Sequence, residues 1–247
     1  MTKTRASTSS ADCSAAMPEC GMATLPSGTV TFAFTDIESS TALLKRLGDR
    51  YGELIADHRR IVREAFGEHA GVEIDMQGDS FFFAFARARD AVAAAVEAQR
   101  AHAEHQWVGV EAVRVRMGLH TGEPAVGEEG YLGVDVVRAA RLCATGTGGH
   151  VLLSEATYAL LGSSLPDGVT VHPLGERRLK DIDEPERIYE LEIEGVQASL
   201  VEAQAPPAAN EDWDRRRDAL VERMTERINE SVYRSLERAL GDPGKGR

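Results

Sequence analysis

The sequence contains no run of about 18 apolar residues, the length needed to cross a bilayer. Its first residues, MTKTRASTSSADCSAAMPECGMA, lack the apolar centre of a secretion signal. Cysteine is scarce. Cys13, Cys20 and Cys143 cannot all pair with one another, and two of them lie in a low-complexity stretch. Neither a disulfide framework nor a zinc site is indicated. Positive charge is also in deficit: Lys+Arg is 28 and Asp+Glu is 40, so the net charge is 28 − 40 = −12. That field disfavours nonspecific binding to nucleic acid or to anionic lipid. No P-loop, GxSxG or HExxH motif occurs, which removes most rival enzyme classes. The expectation is a cytosolic, reduced, soluble protein. What is present is 247 residues, 43% of them hydrophobic. That suits one domain with appendages or two small domains.

Residues 1–26 are rich in Ser, Thr and Ala, show no periodicity, and read as a disordered tail. The strong patterning lies in residues 28–193. TVTFAFT (29–35) is β-branched and aromatic and predicts a buried strand. Ser39 or Ser40 can cap a helical region that runs from near Thr41 to about His69, with a break near Gly48. Two strands, 71–75 and 80–85, follow around the turn MQGD, where Gly78 can adopt positive φ. Helices are expected at 87–105, 134–144 and 155–161, the last capped by Ser154. Strands are expected at 113–120 and 150–153, with closing strands at 169–172, 176–179 and 187–193. A hairpin between two crossover helices predicts an α+β fold, a ferredoxin-like βαββαβ core enlarged at its C-terminal side. Residues 194–210 read as a linker, and 211–241 as a separate amphipathic helix. Its stripe of Trp213, Leu220, Met224, Ile228, Val232, Leu236 and Leu240 suits packing on its own domain, on a sister chain or on another protein.

The chemistry centres on two acids. Asp36 directly follows the first strand, and Asp79 sits in the hairpin turn. In a ferredoxin-like sheet those elements are neighbours, so the two carboxylates can meet at one end of the sheet. Alone, either acid is equally a helix cap or a turn residue. Together they make a hard oxygen pair that suits Mg²⁺ or Mn²⁺ and the phosphates such ions carry. Two such ions about 3.5–4 Å apart stabilise both oxygens of an in-line phosphoryl displacement. The segment Ile37-Glu38-Ser39-Ser40-Thr41 is a turn into a helix N-terminus, which favours phosphate.

TFAFTDIESST, DMQGDSFFFAF, VRVRMGLHTGEP, YLGVDVVRAARL and GHVLLSEAT resemble, in order, the catalytic domain of class III adenylate/guanylate (nucleotidyl) cyclases. The resemblance covers residues 28–193. It implies a homodimer with sites at the subunit interface, and conversion of a nucleoside triphosphate to a 3′,5′-cyclic monophosphate and pyrophosphate. It places two Mg²⁺ or Mn²⁺ ions per site on Asp36, Asp79 and the carbonyl of Ile37. It makes Arg141 the group that stabilises charge on the transferring phosphate. Lys180 resembles the lysine that grips the terminal phosphates. His120 and Cys143 read as structural, Phe81–Phe83 as core or dimer surface, and Glu176-Arg177-Arg178 as a solvated strand face.

Three positions depart from the family pattern. Asp75 stands where adenylate cyclases carry Lys and guanylate cyclases carry Glu. Gly130 stands at the partner base-selecting position, usually Asp, Thr or Cys. Val137 replaces the asparagine that orients the ribose. Loss of one preorganised contact costs about 10²–10³ in rate. Asp75 can accept hydrogen bonds from guanine, as Glu does. The resemblance therefore leaves two expectations. One is an active cyclase with altered base preference. The other is a cyclase-like nucleotide-binding or regulatory module, or one subunit of a heterodimer whose partner supplies the missing contacts.

Overall fold

A computed structural model describes residues 25–127, 130–162 and 164–198. The tail through residue 24, the linker from residue 199 and the expected helix at 211–241 lie outside the described residues. The elements are β1 (Val30–Ile37), α1 (Ser40–Leu47), a 3₁₀ turn (Gly48–Arg50), α2 (Tyr51–Glu68), β2 (Val72–Gln77), β3 (Ser80–Phe85), α3 (Ala88–Glu104), β4 (Val115–Gly122), β5 (Ala125–Gly127), β6 (Gly130–Leu132), α4 (Val134–Thr145), β7 (Val151–Ser154), α5 (Glu155–Leu161), β8 (Val169–Arg177) and β9 (Glu186–Ile193).

Seven strands form one mixed sheet in the order β2-β3-β1-β4-β7-β9-β8. The first four, β2-β3-β1-β4, are the antiparallel ferredoxin-like core, and β7, β9 and β8 enlarge it. All eight residues of β1 are buried, because helices cover both faces of the sheet. Alternation sorts them. Ala33 and Ile37 join Phe81, Phe83, Phe85, Met117 and Leu119 in the large core beneath α2, α3 and α5. Val30, Phe32 and Phe34 join Phe82, Val136, Ala139 and Ala140 in a smaller core beneath α4. Phe81–Phe83 is thus core on both faces rather than dimer surface. α4 lies unusually close to β4. A Cβ on Gly118 would stand 2.2 Å from the Cys143 amide nitrogen, so only glycine fits there.

The expected helices form, and Ser154 does cap α5, accepting from the Thr157 N–H at 3.3 Å. Four local details differ from the expectation. Ser39 occupies the cap position of α1 in the left-handed region (φ 56) and makes no side-chain cap bond. The first two closing strands are one strand, β8. It continues past Pro173 through a register shift at Pro173/Gly175, which its place at the sheet edge tolerates. Residues 178–185 lie between β8 and β9. A short β5–β6 hairpin precedes α4. Finally, Leu25 packs on the smaller core and Tyr131 Oη donates to the Pro26 carbonyl at 2.7 Å, so ordered packing begins ahead of β1.

Candidate active site

Asp36 is the penultimate residue of β1, and its alternation points it to the α4 face of the sheet. Register brings its neighbours. Thr35 pairs with Phe81 on β3, so Ser80 and the Gly78-Asp79 turn fall beside Asp36. Asp36 pairs with Arg116 on β4. Asp36 Oδ1 accepts from Ser80 Oγ at 2.6 Å, and Oδ2 accepts from Arg116 Nε (3.0 Å) and Nη2 (2.6 Å). Asp36 and Asp79 are 1% and 2% exposed, so both carboxylates are out of bulk water. Burial, then the Asp79 charge, push the Asp36 carboxyl up to about 7, against the opposing pull of Arg116 and Ser80. Asp36 thus sits in a dry site between the opposing charges of Asp79 and Arg116.

The donor set fits a hard divalent cation: buried carboxylate oxygens, with the Ile37 carbonyl next along β1. Among the described residues no group of three or more His, Cys, Asp or Glu side chains gathers to hold a metal. Two carboxylates completed by water and phosphate oxygens match the habit of Mg²⁺.

The turn after β1 is divided. Glu38 is committed to the fold: its N–H donates to the Arg114 carbonyl (2.9 Å), and its carboxylate accepts from the Gly148 N–H (3.0 Å). It therefore has no N–H left for a phosphate. Ser39, Ser40 and Thr41 form the entry to α1, with the Ser39 carbonyl accepting from the N–H groups of Ala42 and Leu43.

Arg141 meets the 178–185 segment that carries Lys180. Arg141, on α4, is 5% exposed and forms an ion pair with Asp181, which follows Lys180 in the 178–185 segment. Lys180 is exposed. Asp75 lies at a bulge in β2. Its carboxylate accepts from the Met76 N–H (2.8 Å) and from Gln77 Nε2 (3.5 Å). Gly130 opens β6 at φ 122, and a Cβ there would meet nothing within 4 Å. Val137 is half-buried and packs against the smaller core beneath α4 and against a third cluster of Leu142, Leu152, Leu179, Ile182 and Ile188.

His120 is structural. Its ring bridges Ser154 Oγ (2.8 Å) and Asp135 (3.1 Å). The Cys143 thiol is buried against the Arg116 carbonyl.

Sequence reasoning missed the support of the site. Arg116 is one part. The other is a buried histidine pair. His58 Nε2 lies 2.9 Å from the Asp79 carbonyl, His58 Nδ1 lies 2.9 Å from His102 Nε2, and His102 Nδ1 lies 2.7 Å from the Ala98 carbonyl. A carbonyl only accepts, so His58 Nε2 carries a hydrogen and donates to Asp79. Burial pushes His58 down to about 3 and His102 down to about 4. Two neutral rings bring two N–H groups to three contacts, and a third proton would have to enter a dry core. The signal available in the sequence was histidine on the buried stripes of two helices.

Fold and site together define a nucleotidyl cyclase catalytic domain. The profile of the adenylate and guanylate cyclase catalytic domain matches residues 22–192, and the chain belongs to that family. It is 38% identical over 168 residues to an uncharacterised protein of Mycobacterium tuberculosis, covering 67% of this chain and 56% of that one. It is 30% identical over 206 residues to a receptor-type adenylate cyclase of Trypanosoma equiperdum, covering 66% of this chain and 44% of that one. The chain thus spans about half the length of these relatives. Among solved structures, an adenylate cyclase from Trypanosoma brucei in its monomeric state superposes with a TM-score of 0.64 at 29% identity, covering 71% of this chain and 95% of that one. Among the described residues no helix is long and apolar enough to cross a membrane.

Proposed function

We propose that this chain is a nucleotidyl cyclase. It converts a nucleoside triphosphate to a 3′,5′-cyclic nucleotide and pyrophosphate for intracellular signalling, as a homodimer in the cytoplasm. The observation that carries the reading is the buried, mutually repelling pair Asp36 and Asp79 at the ends of adjacent strands. Two Mg²⁺ or Mn²⁺ ions, when bound, would polarise the 3′-hydroxyl and the α-phosphate. Asp36, Asp79 and the Ile37 carbonyl are the residues that would hold them. Ser39, Ser40 and Thr41 at the start of α1 would meet phosphate. Arg141 of the partner chain would stabilise charge on the transferring phosphate, with Lys180 on the terminal phosphates. In the reaction the 3′-oxygen bonds to the α-phosphorus, its proton leaves, and the bond to the pyrophosphate oxygen breaks. Without metal, Arg116 is the countercharge of Asp36.

Asp75 favours guanine among the bases, because its carboxylate accepts hydrogen bonds. Product analysis by mass spectrometry tests the reading. The full chain is incubated with ATP, GTP, CTP and UTP in turn, with Mg²⁺ or Mn²⁺, beside an Asp36→Ala control. A cyclic monophosphate lost in the control supports the enzyme and names its base. One observation favours a second reading, a binding or regulatory module or a heterodimer subunit: Val137 is built into apolar packing where the family orients ribose. Bound nucleotide with no cyclic product from any triphosphate would favour that reading and overturn the first.

A further inference from the structure

We propose that His58 and Arg59, consecutive residues of α2, are positioning residues that set the place of the Asp79 carboxylate by pinning the turn that carries it. The inference rests on the reading of Asp79 as a metal-site acid.

The turn needs such support. Gly78 and Asp79 form the two-residue connection between β2 and β3, and β2 is an edge strand, so among the described residues one side of this hairpin has no strand beside it. Gly78 holds φ 63, which lets the chain reverse there and turns its carbonyl toward α2. Arg59 donates to that carbonyl twice, from Nε at 3.2 Å and Nη2 at 2.7 Å. His58 Nε2 donates to the next carbonyl, that of Asp79, at 2.9 Å. Two successive peptide units are therefore fixed from one helix, and the Cα–Cβ bond of Asp79 has little freedom left.

The clamp is itself braced. The His58 ring lies against that of His102, and His102 Nδ1 donates to the Ala98 carbonyl of α3. Trp107 Nε1 donates to the His102 carbonyl at 3.0 Å. The path runs from the Asp79 turn through α2 into α3. Packing alone would be served better by Leu or Phe at position 58, since burying an imidazole costs polar solvation. The imidazole supplies a ring of fixed direction with a donor at its tip, aimed at the Asp79 carbonyl.

The test uses the full-length protein and Mn²⁺ alone as probe. Binding is read from the loss of the free-ion electron paramagnetic resonance signal, and folding is monitored by circular dichroism. His58→Phe keeps the volume and removes the donor. Arg59→Met removes the other two bonds from a partly exposed site. His58→Gln returns an N–H near the original one. Outer-shell contacts of this kind are worth about 10–100-fold in metal affinity. His58→Phe and Arg59→Met should each weaken Mn²⁺ binding by about 10-fold or more, and His58→Gln should recover most of the loss. Should His58→Phe not fold, Arg59→Met and His58→Gln decide the matter. Folded Arg59→Met or His58→Phe protein that binds Mn²⁺ like the wild type overturns the positioning role. Wild-type binding that Asp36→Ala leaves unchanged overturns the metal-site reading itself, a distinct failure.

Discussion

Acidifying the metal-free protein from pH 6.5 to 4.5 should remove about 2 kcal/mol of stability, and two substitutions should change that slope in opposite directions. Three buried groups set the number. His58 and His102 titrate near 6.5 when unfolded but near 3 and near 4 when folded. Between about pH 4.5 and 5.5 the unfolded chain therefore binds close to two more protons, falling to about one at pH 6.5 where its histidines are half titrated, and stability falls as pH falls. Asp36 works in the other direction. Its carboxyl moves from 3.8 up to about 7, so over the same interval the folded state holds the extra proton. The net difference is two minus one, a single proton, worth about 1.4 kcal/mol per pH unit. Asp36→Asn removes the opposing proton and should double the slope to about 2.7 kcal/mol per unit. His58→Gln removes one of the two histidine protons and should flatten it. Urea unfolding at pH 6.5, 5.5 and 4.5 in a chelator, followed by circular dichroism, measures all three proteins, and the titration of other side chains cancels between them. Equal slopes would refute the reasoning. A wild-type slope no steeper than that of His58→Gln would locate the error: the pair would then enter the fold already charged, with three hydrogens for its three contacts.

Gly118→Ala should cost 1–3 kcal/mol or more, because the new methyl would meet Cys143 main-chain atoms on α4 that cannot move aside like a side chain. Calorimetry should register a lower Tm, and an unchanged Tm would mean that α4 shifts freely on β4. Val137→Asn should raise kcat about 10²–10³-fold with the preferred triphosphate if α4 presents this position to the ribose. An unaltered kcat would remove the ribose contact from the account of this site.

The framework of the site was legible for a local reason. Asp36 and Asp79 each adjoin an element with strong sequence signals, a β-branched strand and a glycine turn, and the ferredoxin-like order places those elements side by side. What the sequence concealed depends on register between distant segments. Arg116 reads as one of two arginines on an alternating strand. It becomes the countercharge of Asp36 only because the two face each other across β1 and β4, 80 residues apart. His58 and His102 were visible as polar breaks in apolar stripes, but their contact requires the crossing of α2 and α3. The β5–β6 hairpin went unseen because three residues per strand give no periodicity to read. Pro173 suggested a strand end, whereas a strand at the sheet margin absorbs it in a bulge.

The burial of β1 has a consequence for how the site breathes. A strand with all eight residues buried and partners on both sides releases its amides to exchange with solvent only when the whole domain opens. Asp36 therefore sits on the slowest-exchanging part of the molecule. Asp79 rides on a hairpin whose outer strand has one unpaired side, a unit that can open without disturbing the centre. The two acids differ in kinetic character: Asp36 is held for as long as the fold persists, whereas Asp79 keeps its place only while the bonds from α2 to its turn last.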